Sequence, residues 1–203
     1  MSTVSSVYAL LELEMPKIID NEQVYQAVLQ TIIARGYAGA TTKQLAEAAD
    51  ISEVTLFRKY GSKIQLVKQA IGSIIAQADF EGAAEYSGDL AADLLKMVQA
   101  YQESAVKHGQ FFAILLSEMP RYPEMMEMID APFGIFKSMG QLLARYQAEG
   151  VLRQEHPLHA LAALLGPLIY IAMMRNAKYE DLIPPLDLSL HVDNYIRGRS
   201  VDR

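Results

Sequence analysis

Apolar residues recur at three- and four-residue spacing along almost the whole chain, and no convincing alternating run competes with that period. A period near 3.6 gathers apolar side chains into one stripe per helix, so the fold class this implies is all-α. Local signals divide the chain. Val24, Ala27, Val28, Thr31 and Ile32 form one face of a helix over about 20–35, with Asp20 as its cap and Gly36 at its end. A short helix follows over about 42–49, opened by Thr41 or Thr42, and Asp50-Ile51-Ser52 is long enough only for a turn. A second short helix runs from Glu53 to about Tyr60, and Gly61 breaks it. Ser62 and Gln65 then form an S-x-x-Q box that opens a long helix carrying Leu66, Val67, Ala70, Ile71 and Ile74. Residues 79–89 turn to Gly, Ser and acids and read as a linker. Further helices are expected over about 89–107, 110–118, 123–130, 132–149, 157–177 and 186–198, punctuated by Gly109, Pro120, Pro123, Pro132, Gly150, Pro157 and Pro184-Pro185. The expectation is a three-helix head and a larger helical bundle, about nine helices in all, divided as 1–19 (an N-terminal extension), 20–66 and 67–203.

Composition narrows the chemistry. Hydrophobic residues make up 51% and charged residues 21% of the 203, enough apolar surface to build a core. The chain contains no cysteine, which excludes a disulfide scaffold, a cysteine zinc site, an iron–sulfur cluster and a thiol nucleophile. Val7 to Leu13 is interrupted by Glu12 and has no basic residue ahead of it, so no secretory signal is expected, and Met15-Pro16-Lys17 resembles a translational start. The most apolar stretch, Leu158 to Met174, holds His159, Gly166 and Pro167 and runs into Arg175. It reads as a packing helix rather than a membrane span, and a cytoplasmic location is the expectation. Net charge is -6, yet 41–70 holds five basic residues (Lys43, Arg58, Lys59, Lys63, Lys68) against three acidic (Glu47, Asp50, Glu53). That balance disfavours a generic polyanion binder and allows a local phosphate-binding surface.

Residues 42–60 have the plan of a helix-turn-helix, in which the second helix enters a DNA groove while the first braces it. Leu45, Ala46, Ala49, Ile51 and Phe57 are expected to lock the pair, leaving Glu53, Val54, Thr55, Arg58 and Lys59 for the groove. Arg58 can reach guanine O6 and N7, and Lys43 and Lys63, at the starts of their helices, suit phosphates. A helical hairpin with solvated charges satisfies the same spacing.

The run Thr41-Thr42-Lys43-Gln44-Leu45-Ala46-Glu47-Ala48-Ala49-Asp50-Ile51-Ser52, then Thr55-Leu56-Phe57-Arg58-Lys59-Tyr60-Gly61-Ser62-Lys63 and Leu66, closely resembles the N-terminal domain of the TetR (tetracycline-repressor-like) family. The specific resemblance covers about 20–70, and beyond it only the helix layout and Gly150-Val151-Leu152-Arg153 match. It implies a homodimeric transcriptional repressor on a pseudo-palindromic operator, released by a small apolar or amphipathic effector. Carried over, Thr42 and Lys43 meet the DNA backbone, Ser52, Glu53, Thr55 and Lys59 lie on the recognition helix, Lys63 holds a phosphate, and Tyr60 is structural. Two residues depart from the family pattern. Val54 stands where Gly is usual, and Phe57 where Tyr commonly supplies a hydroxyl to phosphate. Weaker backbone binding is therefore expected. The alternative is a helical ligand-binding or assembly protein of the same fold whose head has weakened or lost DNA binding.

Five of the ten methionines fall within 119–139, interleaved with aromatics, and Met suits a pocket for apolar ligands of varied shape. Tyr101, Phe111, Met119, Tyr122, Met125, Tyr170 and Met174 are the candidate effector-binding residues, the tyrosines as polar handles. The resemblance places the dimer interface on the last two helices, where Leu161, Leu165, Leu168, Ile169 and Ala172 recur at helical spacing. His156, His159 and Glu155 are near neighbours, but Pro157 and the lack of a further ligand argue against a metal site. No H-E-x-x-H, G-x-S-x-G, Walker loop or G-x-G-x-x-G occurs, so no catalytic residue and no cofactor are expected.

Overall fold

The computed structural model describes residues 19–175 and 182–201. The expectations for residues 1–18, and for a helix reaching 177, lie outside the described residues. The chain is all-α. The described residues form α1 (Asn21–Gly39), α2 (Thr42–Ala48), α3 (Glu53–Tyr60), α4 (Lys63–Gln77), α5 (Phe80–Ala83), α6 (Leu90–Glu118), α7 (Asp130–Ala148), α8 (Pro157–Met174) and α9 (Leu188–Arg197), with 3₁₀ turns at Met119–Arg121 and Pro123–Met128. They contain no strand, only a single antiparallel bridge between Leu152 and Ser200.

The caps anticipated at Asp20, Thr41 and Ser62 are present, the Ser62/Gln65 box in its Ser62 half, and Ser52 adds a further one. The Asp20 side chain accepts from the Glu22 N–H, Thr41 and Gln44 form a reciprocal capping box, and Ser52 and Ser62 accept from the N–H groups of Thr55 and Gln65. Gly36 sits at φ 74°, ψ 167°, a kink at positive φ that ends the regular part of α1 and turns the chain toward α2.

Three local expectations are overturned. Gly109 does not divide α6, which runs unbroken for 29 residues. A mid-helix Gly costs about 1 kcal/mol, little against the burial of Leu94, Met97, Phe111 and Leu115 along that same helix. The linker over 79–89 contains α5, capped by Asp79 and anchored by buried Phe80. Residues 123–128 wind as 3₁₀ rather than α, starting at Pro123.

Two apolar cores lie along the chain. The first joins α1, α2, α3 and Leu66 to Ile74 of α4 with Phe111, Leu115, Met125 and Met128. The second joins Phe80, Leu94 and Met97 with Met139, Leu143 and Tyr146 of α7, the inner face of α8, and Val192 and Tyr195 of α9. Residue 66 therefore falls inside the first core, and α4 is shared between head and body. At the foot of the body, buried Asp93 accepts from the Ser87 N–H (2.9 Å), the Ser87 hydroxyl (2.5 Å) and the Tyr146 hydroxyl (2.5 Å). Burial alone would raise the Asp93 pKa, but the hydrogen bonds from Ser87 and Tyr146 hold it below the usual value.

Candidate DNA-binding head and effector cavity

In the head, Leu45, Ala46, Leu56 and Tyr60 are buried, and Ala49 and Ile51 pack against them. Leu56 takes the locking position anticipated for Phe57, which is 43% exposed. Leu56 and Tyr60 are four apart and face inward together, so Phe57 turns outward. The α2–α3 turn passes through Asp50 at φ 53°, a left-handed conformation that Asp tolerates. The Thr42 hydroxyl donates to the Glu53 carboxylate, tying the start of α2 to the start of α3.

The solvent face of α3 presents Val54 (76% exposed), Phe57, Arg58 and Lys59. Ser52 is exposed and shares a hydrogen bond with half-buried Thr55 at 2.8 Å. Lys43 is exposed and 4.0 Å from Glu47, a solvent-screened pair of little energetic weight. The Lys59 ammonium donates to the Ile19 carbonyl at 3.1 Å, which ties α3 to the chain entering α1.

Lys63 stands differently. Its ammonium donates to the Tyr37 carbonyl and sits 4.1 Å above the Tyr37 ring. Burial lowers its pKa, while the Glu118 carboxylate pulls in the opposite direction. Glu118, the last residue of α6, accepts from the N–H groups of Tyr37 and Ala38 at 3.1 and 3.0 Å. The Tyr37 ring lies 6.1 Å from that of Tyr122, and burial with nearby Glu124 pushes its hydroxyl up to about 12. Tyr37 is thus a junction. Its carbonyl is held from the first residue of α4 and its N–H from the last residue of α6, one step beyond the Gly36 kink.

Both of those helices line a cavity of about 220 Å³. Its walls include Ile71, Ile74 and Ile75 of α4, Tyr101, Ser104 and Phe112 of α6, Phe133 and Phe136 of α7, and Ile169, Ala172 and Met173 of α8. Of the effector residues anticipated from sequence, Tyr101 and Met119 are on this wall. Phe111 and Met125 are buried in the first core, Tyr122 packs on Tyr37, and Tyr170 is 63% exposed on the outer side of α8. Met174 is half-buried and off the wall. Those five lie off this wall, because one sequence cannot tell which turn of a helix meets a core and which meets a void. The α4 and α8 contributors went unrecognised for the same reason, although the apolar stripe of α4 extends further than three short helices need.

Leu161, Leu165, Leu168 and Ala172 are buried in this chain's own interior, and Ile169 and Ala172 face the cavity. They are therefore not an outer face. The outer row of α8 is His159, Ala162 and Tyr170 with half-buried Gly166, where an added Cβ would meet nothing within 4 Å. By length and composition α8 would pass for a membrane span, but its inner side packs against α6 and α7. The His156 and His159 rings lie 5.0 Å apart, and no group of three or more His, Asp or Glu among the described residues is arranged to hold a metal ion.

A capped helix-turn-helix head joined through two helices to a cavity-bearing helical body is the fold of a helix-turn-helix transcriptional regulator. Residues 25–70 match the family model of bacterial regulatory proteins of the tetR family. The chain is 27% identical over 138 residues to the uncharacterized HTH-type transcriptional regulator YvkB of Bacillus subtilis (strain 168), covering 60% of this chain and 68% of that one. Its fold is similar to that of the TetR family transcriptional regulator PfmR from Thermus thermophilus, with TM-score 0.66, 19% identity, and 89% and 99% of the two chains covered. It is also similar to the flavonoid-responsive regulator FrrA, with TM-score 0.64, 18% identity, and 89% and 96% covered. The head, residues 25–70, is thus matched to the tetR family by its sequence, and the whole chain resembles TetR-family regulators in fold.

Proposed function

We propose that this chain is a cytoplasmic, ligand-responsive repressor that binds a pseudo-palindromic operator as a homodimer and leaves it when a small molecule fills the cavity. One observation carries the reading. The Tyr37 junction ties the head to the ends of α4 and α6, the two helices that also wall the cavity. Filling the cavity displaces α6 against α4, and Glu118 passes that displacement to the chain entering α2. An effector acts in this way only through a difference in affinity between the two arrangements. The name of the structurally similar FrrA, a flavonoid-responsive regulator, accords with a small-molecule trigger.

On DNA, the α3 side chains Val54, Thr55, Arg58 and Lys59 meet base edges, with Arg58 suited to guanine and Val54 to a thymine methyl. Ser52 and the α3 N-terminus meet phosphate, as do Thr42, Lys43 and Lys63 around the groove. Glu53 holds Thr42 and sets the tilt of α3. Lys63 has first to be shared with Tyr37, so its contribution is smaller than its charge suggests. The dimer forms through the outer row of α8 together with Leu190 of α9, which is 56% exposed. Duplex binding that weakens steeply with salt, at two chains per site, tests the reading. The alternative of a head that has lost DNA binding draws on the exposed apolar Val54 and Phe57, and it predicts no such slope.

A further inference from the structure

We infer that the effector is an uncharged, compact ring molecule bearing one hydrogen-bonding group, and that the Tyr101 hydroxyl selects it. This inference rests on the cavity being the effector site. Size comes first. A cavity of about 150 Å³ in another protein holds benzene, so 220 Å³ suits a molecule on the order of ten to fifteen non-hydrogen atoms. Shape comes second, because Phe112, Phe133 and Phe136 wall the space beside Tyr101, whose ring lies 6.4 Å from that of Phe136. Flat aromatic walls favour a flat ring between them.

Charge is the sharper constraint. None of the described wall residues is acidic, basic or histidine. A carboxylate or ammonium would enter without a partner, and burying an unpaired ion costs far more than burying a hydroxyl. The polar groups on the wall are few. Tyr101 and Ser104 are three apart on one face of α6, and neither hydroxyl has a hydrogen-bond partner among the described residues. Neither hydroxyl oxygen is fully buried, so both stay open to a ligand, and these two mark where its polar group belongs. Burial pushes the Tyr101 hydroxyl up to about 12, which keeps it a donor throughout the physiological range.

Three probes sharing one ring system separate the possibilities: 2-naphthol, naphthalene and 2-naphthoate, each titrated by its own fluorescence against the full-length protein at pH 7. The expected order is 2-naphthol tightest, naphthalene weaker, and 2-naphthoate at least tenfold weaker than 2-naphthol. Tyr101→Phe should cost 2-naphthol about tenfold and leave naphthalene unchanged. Equal or tighter binding of 2-naphthoate, no binding of 2-naphthol, or an unaltered preference for 2-naphthol in Tyr101→Phe overturns the inference. Ala105→Trp fills the cavity and should abolish binding of every probe, with Ala113→Trp in reserve should the first not fold. Probes that bind despite a filled cavity sit elsewhere, and the effector-site reading falls with the inference. Probes that the filled cavity excludes, but that show no order among themselves, overturn the effector class alone.

Discussion

The Glu118 carboxylate closes on the N–H of Tyr37 at 3.1 Å, across 81 residues of chain, where the cavity-lining helix α6 ends and the turn into the DNA-binding head begins. If this grip transmits the effector signal, Glu118→Ala separates two properties that otherwise move together. Probe binding in the cavity should stay within about twofold of wild type, while the change in DNA affinity on adding 2-naphthol, typically about 5–150-fold for such couplings, collapses to within about twofold. Glu118→Gln keeps an acceptor oxygen and should retain part of the response. DNA anisotropy with and without the probe reads the result, and a full response in Glu118→Ala removes Glu118 from the pathway.

The Gly36 kink serves the same junction. Alanine there must adopt φ 74°, and its Cβ would collide with the Glu118 carboxylate. Gly36→Ala should lower stability by roughly 1–3 kcal/mol in urea unfolding and weaken the effector response with it. An unchanged midpoint would contradict the packing described for the kink.

The helical class was legible in the sequence because its signals are local. Thr41, Ser52 and Ser62 each satisfy N–H groups within their own first turn, and Leu45, Leu56 and Leu66 announce the head's core by spacing alone. What was not legible depends on distant partners. Nothing near Lys63 in sequence indicates that Tyr37, 26 residues earlier, captures its ammonium. Leu161 and Leu168 carry the spacing that either a dimer face or a core requires, and only the positions of α6 and α7 decide for the core. Gly109 reads as a break because propensity is local, whereas the packing that overrides it is not.

Among the basic residues, Lys43→Ala should reduce the salt slope of duplex binding by about one without altering sequence preference, the mark of a phosphate contact. Arg58→Ala should instead change which sequence is preferred. Lys63→Ala is predicted to lower the unfolding midpoint as well, since it removes the hold on the Tyr37 carbonyl. Salt titrations paired with urea melts distinguish the three. A Lys63→Ala protein of wild-type stability would contradict its place in the junction.

Asp93 fixes an acid limit. Its folded-state pKa lies below its ordinary value of 3.8, so the stability it contributes is complete above that value and is lost as pH falls through the lower folded one. Asp93→Ala should cost roughly 3 kcal/mol at pH 7, because the Ser87 and Tyr146 donors lose their acceptor. It should also flatten the stability curve below about pH 4. Urea melts at pH 7, 5 and 3.5 check both, and a variant whose deficit is the same at every pH would contradict the assignment.

Gly166 lies open on the outer row of α8, so Gly166→Arg should leave the protomer folded while blocking close approach of a second α8. Light scattering after size exclusion should then change from two chains to one. A Gly166→Arg protein that remains dimeric moves the interface elsewhere.

The most direct test of a DNA-reading regulator is fluorescence anisotropy of the purified protein against duplex tiles from the region upstream of its own coding sequence, with a scrambled duplex as control, at several salt concentrations. The account predicts one tile bound tightly at two chains per site, with log Kd rising linearly with log salt by about 0.9 per phosphate contact. Failure to bind even the scrambled duplex at low salt would contradict it, and would leave a ligand-binding body carrying a head that no longer reads DNA.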